Sequence, residues 1–152
     1  MLYKAKSKKD FKKFQYLLEE YISELHSISE TVKVRKGKEL KKDYFDIPDM
    51  DYFLIKEKNI IIGFALIGYR SNCKIGVDKY ISEFYIIPQY RRKHCGEKAI
   101  KEILQDTNSA ILAILKKNTV AEKFWSKIFE NWRLKEIVDD DDVFFYTYEK
   151  EA

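Results

Sequence analysis

A short basic loop lies between a β-rich segment and a helical pattern, and its residue types suit chemistry on phosphate. Residues 79–87 are rich in β-branched and aromatic side chains, and the segment ends at Pro88, which cannot donate a hydrogen bond to a sheet. Three cations, Arg91–Lys93, come next. After Gly96, one helical face carries Ala99, Ile100, Ile103 and Leu104. Because a helix N-terminus offers free N–H groups and a positive dipole end, the pattern predicts a phosphate-binding loop. The alternative is a solvated basic turn that caps a helix.

The first elements of the chain are predicted to be a strand and a long helix, followed by a Lys-rich loop. Residues 2–5 favour a short strand, and Ser7-Lys8-Lys9-Asp10 fits a capping box that opens a helix. Apolar residues at spacings of three and four continue this helix to Ile28. The polar, Lys-rich segment 29–46 is predicted to be a loop with a short helix near 39–44.

The rest of the chain predicts a hairpin, a buried strand, a second helix and a closing hairpin. Lys58-Asn59 between two apolar runs is a hairpin signal. Residues 110–115 are apolar throughout, which suits a strand buried on both faces in a parallel pairing. Asn118 opens a helix, and residues 134–148 form a hairpin with an acidic turn at Asp139–Asp142. This order predicts an α/β (α+β) fold with a mixed sheet and helices on both faces.

Composition limits the possible classes of protein. The chain has 152 residues, so we expect a single domain over 1–152. Its net charge of +4 suits an anionic ligand but is too small to argue for nucleic acid. Two cysteines, Cys73 and Cys95, indicate a reduced, cytoplasmic protein. No signal peptide and no membrane-spanning run is evident, so no membrane partner is expected.

Two motifs in this order of elements resemble those of the GNAT superfamily of acyl-CoA-dependent N-acetyltransferases. Arg91-Arg92-Lys93-His94-Cys95-Gly96 resembles the family's Arg/Gln-x-x-Gly-x-Gly/Ala loop, after a strand-Pro-x-Tyr-Arg lead. Asn118-x-x-Ala121-x-x-Phe124-Trp125 is similar to the family's Asn-x-x-Ala-x-x-Phe-Tyr/Trp. The resemblance covers essentially the whole chain and is nearest to a bacterial subgroup of predicted acetyltransferases. It implies a mostly antiparallel sheet that splays between the strand ending near Pro88 and the strand at 110–115.

The resemblance implies acetyl-CoA as co-substrate and no metal. Pantetheine is expected in the gap of the sheet, paired with backbone groups of Tyr85, Ile86 and Ile87, and the pyrophosphate on the amides of Arg92–Gly96. Lys98 or Lys117 is expected to reach a further phosphate. The residues predicted to bind the coenzyme are Tyr85, Ile86, Ile87, Arg91, Arg92, Lys93, His94, Cys95, Gly96, Glu97, Asn118 and Phe124.

Two loop residues depart from the family pattern. His94 stands at the first loop glycine, where positive φ or close backbone approach is needed. Histidine tolerates the left-handed region better than most residues, so His94 either keeps the loop shape or crowds it. We expect coenzyme binding to survive. Cys95 replaces an aliphatic residue, and we interpret it as a small buried side chain rather than a nucleophile.

Acetyl transfer by direct attack of a primary amine in a ternary complex needs a base, an oxyanion donor and an acid. Glu83 is the predicted base, on the strand that would meet the thioester; the alternative is a surface carboxylate. A backbone N–H near Ile86 is the predicted oxyanion donor. Trp125 stands where many family members have tyrosine, and its indole N–H has no useful acidity, so we interpret it as core packing. The acid is then solvent or one of three tyrosines: Tyr85, Tyr90 or Tyr69.

Other readings of the sequence stay open. A GNAT-like domain that binds acyl-CoA without turnover would act as a sensor or interaction module. A nucleic-acid-binding domain would use the basic loop and bind with steep salt dependence, but acidic residues are interleaved with the basic ones. Asp139–Asp142 either attracts a cationic amine or is a solvated turn. The aromatic run Phe144–Tyr146 suggests a homodimer sealed by sheet contact.

Overall fold

Seven strands and four helices form the molecule, and the computed structural model describes residues 1–72 and 76–151. The strands are β1 (Leu2–Lys4), β2 (Met50–Glu57), β3 (Ile60–Gly68), β4 (Lys79–Ile86), β5 (Ser109–Leu115), β6 (Trp132–Asp140) and β7 (Val143–Lys150). The helices are α1 (Lys8–Ile28), α2 (Gly37–Tyr44), α3 (Cys95–Leu104) and α4 (Thr119–Ile128). One sheet has the order β1-β2-β3-β4-β5-β7-β6, and every neighbouring pair is antiparallel except β4–β5. The predicted fold class is confirmed. Cys73 lies outside the described residues.

Local sequence signals explain where the first elements begin and turn. The predicted capping box is present, because the Asp10 backbone N–H donates to Ser7 Oγ at 3.1 Å and the Ser7 N–H donates to the Asp10 carboxylate at 3.2 Å. Lys58 and Asn59 both have positive φ, 51° and 69°, as a two-residue hairpin turn requires. The short helix predicted in the Lys-rich segment is α2, which buries Leu40.

Helices cover both faces of the sheet. Because successive strand residues alternate, Phe64 and Leu66 of β3 pack towards α1, whereas Ala65 and Ile67 pack towards α3 and α4. The α1 side is filled by Phe14, Leu17, Leu18, Ile22, Leu40 and Leu54. The opposite side is filled by Ile81, Ile100, Ile103, Leu104, Leu112, Trp125 and Phe129. No helix in the described ranges is long and apolar enough to cross a membrane.

The sheet splays between β4 and β5. Only three residue pairs connect these parallel strands, and the last is Ile81 with Leu112. On the other edge of β4 the register shifts, since Glu83 lies opposite Leu66 but Ile81 lies opposite Ile67, which leaves Ser82 as the bulged residue. A bulge increases the local twist and re-aims the strand, so β4 leaves β5 at this point. A gap opens at the carboxyl ends of both strands.

The closing hairpin differs in two details from the strands and turn that its sequence predicts. The strand β7 lies between β5 and β6, so both its edges are paired and the run Phe144–Tyr146 has no free edge for a second copy. The free edge on this side is β6. Asp139 and Asp140 belong to β6, which leaves only Asp141 and Asp142 in the turn.

Candidate active site

Two adjacent cavities occupy the gap and share part of their lining. The larger, about 900 Å³, lies between α1, the basic loop and α4. The smaller, about 210 Å³, lies between the separated parts of β4 and β5 and contains Glu83. The residues that line both cavities are Tyr21, Leu25, Phe84, Asn118, Ala121 and Trp125. We call the larger cavity the groove and the smaller one the inner cavity.

The basic loop has backbone donors without an acceptor among the described residues, and four of its residues line the groove: Arg92, His94, Gly96 and Glu97. Arg92 and His94 both have a φ of 63°, so two left-handed residues fold the chain tightly before α3. The helical hydrogen bonds begin only where Lys98 N–H donates to His94 O at 3.0 Å. Within the described part of the chain, the N–H groups of residues 92–97 find no protein acceptor. Six free N–H groups at a helix N-terminus form a site for an anion.

His94 keeps the left-handed conformation that the family usually gives to glycine. Its Nδ1 lies 3.1 Å from Glu97 Oε2, and Lys101 Nζ lies 2.9 Å from Glu97 Oε1. Hydrogen bonds from Lys101 and His94 lower the pKa of Glu97 to about 2. The imidazole is exposed and held against the first turn of α3, so it lines the groove without filling the loop.

The three loop cations have different surroundings. Arg91 Nε donates to Ile86 O at 2.7 Å, its Nη2 lies 2.9 Å from the Glu24 carboxylate, and its guanidinium lies 5.4 Å from the Tyr85 ring centroid. It therefore braces the loop against β4 and α1. Lys93 lies over the Tyr90 ring and does not line the groove. Arg92 lines the groove and makes no ion pair with any residue that the structure describes.

The side chain of Cys95 points away from the groove. It is buried beside Ile62 and Ala99, and its Sγ lies 3.7 Å from Glu57 Oε2. Burial raises the pKa of this thiol, which lowers its thiolate content at neutral pH. The side chain thus packs as a small apolar group, and only its backbone N–H belongs to the loop.

Strand alternation decides which backbone groups of β4 face the gap. Ile87 N–H donates to Ile62 O at 2.8 Å, so in an antiparallel ladder the backbone groups of Ile87 and Tyr85 point towards β3. Those of Phe84 and Ile86 point towards the gap. The backbone groups of Tyr85 and Ile87 thus face β3 rather than the gap, whereas Phe84, which was not among the predicted coenzyme-binding residues, faces the gap beside Ile86. The period of two along the strand could have found it.

Glu83 lies in the inner cavity rather than on an exposed face, which corrects the surface-carboxylate alternative. Its Oε2 accepts a hydrogen bond from Tyr21 Oη at 2.5 Å. Burial raises its pKa to about 7, although the Tyr21 hydrogen bond and the charge of Arg35 act in the opposite direction. A carboxyl group with this pKa can take and return a proton near neutral pH.

A sequence profile described as the acetyltransferase (GNAT) family matches residues 15–130. The chain belongs to the GNAT acetyltransferase family. Its solved neighbours include a Streptococcus mutans protein with a TM-score of 0.71 and 16% identity, covering 99% of each chain. An acetyltransferase of Thermus thermophilus has a TM-score of 0.67 and 16% identity, covering 97% of this chain and 96% of the other.

A GNAT acetyltransferase of Elizabethkingia anophelis, solved with acetyl-CoA bound, has a TM-score of 0.63 and 12% identity, covering 98% of this chain and 97% of the other. At these identities the likeness shows a shared fold. No sequence among curated proteins matches the chain.

Of the tyrosines proposed as acid in this GNAT enzyme, one lies at the site. Tyr85 lines the groove, and its ring packs 5.7 Å from Tyr21 and 5.9 Å from Phe64 between centroids. The Tyr69 hydroxyl donates a hydrogen bond to Asp51. Tyr69 and Tyr90 line neither cavity. Trp125 lines both cavities and packs with aromatic neighbours, which fits its interpretation as core: Phe84, Phe124 and Phe129.

The start of α4 forms the wall opposite the loop. Asn118 Oδ1 accepts the Ala121 N–H at 3.1 Å and so caps this helix. Phe124 lies beside Gly96, where an added Cβ would come within 3.5 Å of its ring and 3.3 Å of Ile86 Cγ1. The missing side chain thus lets α3 approach β4 and α4 closely. Among the described residues, no three acidic, histidine or cysteine side chains form a metal-binding group.

Proposed function

We propose that this GNAT enzyme transfers the acetyl group of acetyl-CoA to a primary amine of a small molecule or protein, by direct attack in a ternary complex. The observation that carries the proposal is the row of unpaired N–H groups at residues 92–97, in a loop that lines a groove adjacent to the inner cavity of Glu83. The loop beside the groove suits the diphosphate of a coenzyme, and the inner cavity with Glu83 suits an amine.

The coenzyme fits the residues present. The N–H groups of residues 92–97 would hold the diphosphate, and Arg92 and Lys117 line the same groove as cations. The backbone of Phe84 and the N–H group of Ile86 face the gap, where the amide-containing pantetheine arm would pair with them, while Ile86 O is bound by Arg91. The acetyl-CoA in the Elizabethkingia relative supports this assignment. Bound acetyl-CoA supplies an activated acyl group and a thiolate leaving group.

Glu83 would act as the base in the inner cavity. Its Oε2 is taken by Tyr21, while Oε1 has no partner among the described residues and is free to accept a proton from the amine. With a pKa of about 7, about half of Glu83 is ionised at neutral pH. The N–H groups of Phe84 and Ile86 are the donors placed to stabilise a developing oxyanion.

A second candidate is an acyl-CoA sensor without turnover. It is favoured by one observation, that the hydroxyl-bearing residue of many family members is replaced by Trp125, whose ring is packed in the core. The sensor would bind acetyl-CoA in the same groove but release no thiol with any amine.

Thiol release separates these functions. Acetyl-CoA is mixed with the protein and one primary amine at a time: n-butylamine, spermidine, a lysine-containing peptide or an aminoglycoside. We expect amine-dependent thiol release that Glu83→Gln lowers by about 10²-fold or more. Glu57→Gln, which removes a carboxylate outside both cavities, should leave the rate unchanged. Tight binding of acetyl-CoA with no release would favour the sensor, and absence of binding would exclude both.

A further inference from the structure

Tyr21 has a position that no other described tyrosine shares. It projects from α1 and lines both the groove and the inner cavity. Its hydroxyl group donates a hydrogen bond to Glu83 Oε2 at 2.5 Å. Its ring is fixed edge-on against Phe64 at 5.5 Å and beside Tyr85 at 5.7 Å between centroids. The hydroxyl is thus held where the coenzyme side and the amine side of the gap meet.

The other tyrosines near the site do not combine these contacts. Tyr85 lines only the groove, and Tyr80 lines only the inner cavity. Tyr44 receives an Arg35 N–H at 3.3 Å and lines neither cavity. Trp125 lines both cavities but carries no acidic proton. Among the described tyrosines, Tyr21 is therefore the one whose phenol lies where the groove and the inner cavity meet and could protonate a leaving thiolate.

We propose that Tyr21 is the general acid of the acetyl transfer and that Glu83 returns the amine's proton to it. This assignment rests on the proposed function. The amine nitrogen forms a bond to the acyl carbon, and Glu83 Oε1 takes the proton that the nitrogen loses. The carbon–sulfur bond breaks with its electron pair on sulfur, and Tyr21 Oη gives its proton to that sulfur. The phenolate then takes the proton held by Glu83, which restores both groups.

The electrostatics of the pair suit this order of events. Burial and the nearby Glu83 carboxylate raise the pKa of Tyr21 well above its ordinary value, so the phenol keeps its proton while Glu83 is ionised. Once Glu83 carries the amine's proton, the repulsion from its negative charge is gone, and the phenol becomes more acidic. Tyr21 thus gives up its proton only after the amine has been deprotonated.

The test compares Tyr21→Phe with wild type in acetyl transfer from acetyl-CoA to n-butylamine, in mixtures of H₂O and D₂O. We expect kcat to fall by about 10²-fold. In wild type, kcat should depend on the deuterium fraction along a curve, because two protons move, and in Tyr21→Phe along a straight line. Tyr69→Phe removes a phenol that also bonds to a carboxylate but lies outside both cavities, and should match wild type.

A second measurement uses phenyl thioacetate as acyl donor. Its thiolate leaves without protonation, so Tyr21→Phe and wild type should differ by less than about threefold with this donor. A loss of equal size with both donors, or a straight line in wild type, would overturn the assignment and leave Tyr21 a positioning residue. Absence of transfer from bound acetyl-CoA by wild type would instead overturn the proposed function, and this assignment with it.

Discussion

Burial of one carboxyl group should make the enzyme's rate depend on pH near neutrality. Because the proposed base Glu83 could accept a proton only when ionised, and its pKa is about 7, kcat/KM should fall as pH drops through 7. The acidic limb should be lost in Glu83→Gln, along with at least about 10²-fold of the rate at pH 8. The measurement is kcat/KM between pH 5.5 and 9. A limb that persists in the glutamine variant would contradict this role.

The same carboxyl group should affect stability with a defined sign. Its pKa is raised from an ordinary value of 4.5, so the folded state binds more protons than the unfolded state between about 4.5 and 7. Stability from this group is complete below that interval and is lost as pH rises through 7. Glu83→Gln has no carboxyl group to ionise and so does not lose this stability. The free energy of unfolding of the variant, measured with urea, should therefore rise relative to that of wild type between pH 5 and pH 8. An equal difference at both pH values would contradict the raised pKa.

Substitutions at His94 distinguish the contribution of the loop's backbone conformation to coenzyme binding from that of the imidazole side chain. Glycine adopts a φ of 63° without cost, whereas a β-branched residue does so poorly. We expect His94→Gly to change the Kd for CoA by less than about threefold and His94→Val to weaken it by about tenfold, in calorimetric titrations. Equal weakening in both variants would show that the imidazole itself binds the coenzyme.

The sequence was least informative about which individual side chains meet at the site. Residue types and order predicted the basic loop, its helix and the presence of a carboxylate on β4. Tyr21 follows the apolar spacing of an amphipathic helix, and nothing local marks it as a partner of Glu83, 62 positions away. That contact depends on how α1 packs across β3 and β4, which no pattern within either segment contains.

Among the elements, two neighbouring arginines of the basic loop have different expected roles: Arg91 stabilises the loop and Arg92 binds the coenzyme. Arg91 joins the loop to β4 and α1, so Arg91→Ala should lower the free energy of unfolding by about 1–2 kcal/mol. Arg92 lines the groove without an ion pair to a described residue, so Arg92→Ala should weaken CoA binding by about tenfold at nearly unchanged stability. Urea unfolding and calorimetry check both variants. The reverse pattern would contradict this division.

The pairing of β3 with β4 depends on one missing side chain. A Cβ added at Gly63 would lie 2.1 Å from Tyr85 O, a backbone atom that cannot move without displacing β4. Gly63→Ala should therefore cost about 3 kcal/mol of unfolding free energy. Gly68→Ala is the matched control, since its nearest obstacle is the flexible Met50 side chain at 2.9 Å. A smaller loss in Gly63→Ala than in Gly68→Ala would contradict this explanation.

Element boundaries followed the sequence closely where a local signal exists. The capping box, the Lys58-Asn59 turn and Pro88 each act within a few residues, and each marks a boundary of an observed element. The bulge at Ser82 and the side of β4 that faces the gap depend on register with β3, so they needed the assembled sheet. The placement of Asp139 and Asp140 in β6 depends in the same way on pairing with β7.

At the scale of the molecule, the splayed sheet joins two sites that the chain keeps far apart in sequence. The loop before α3 supplies the groove, while α1, β4 and the segment after α1 supply the inner cavity. Thr31 Oγ1 donates to Asp142, which ties that segment to the β6–β7 turn beside the cavity residues Val32 and Val143. The proposed amine site therefore has a wall built from two segments that lie far apart in sequence, near residues 31 and 142.

Backbone amide resonances recorded during a titration with acetyl-CoA show whether the basic loop and β4 hold the coenzyme together. We expect the ¹⁵N–¹H signals of residues 92–97, Phe84 and Ile86 to shift together with a single Kd, while those of β6 stay in place. No shift at millimolar acetyl-CoA, or shifts confined to residues outside the groove, would contradict this assignment of the coenzyme site.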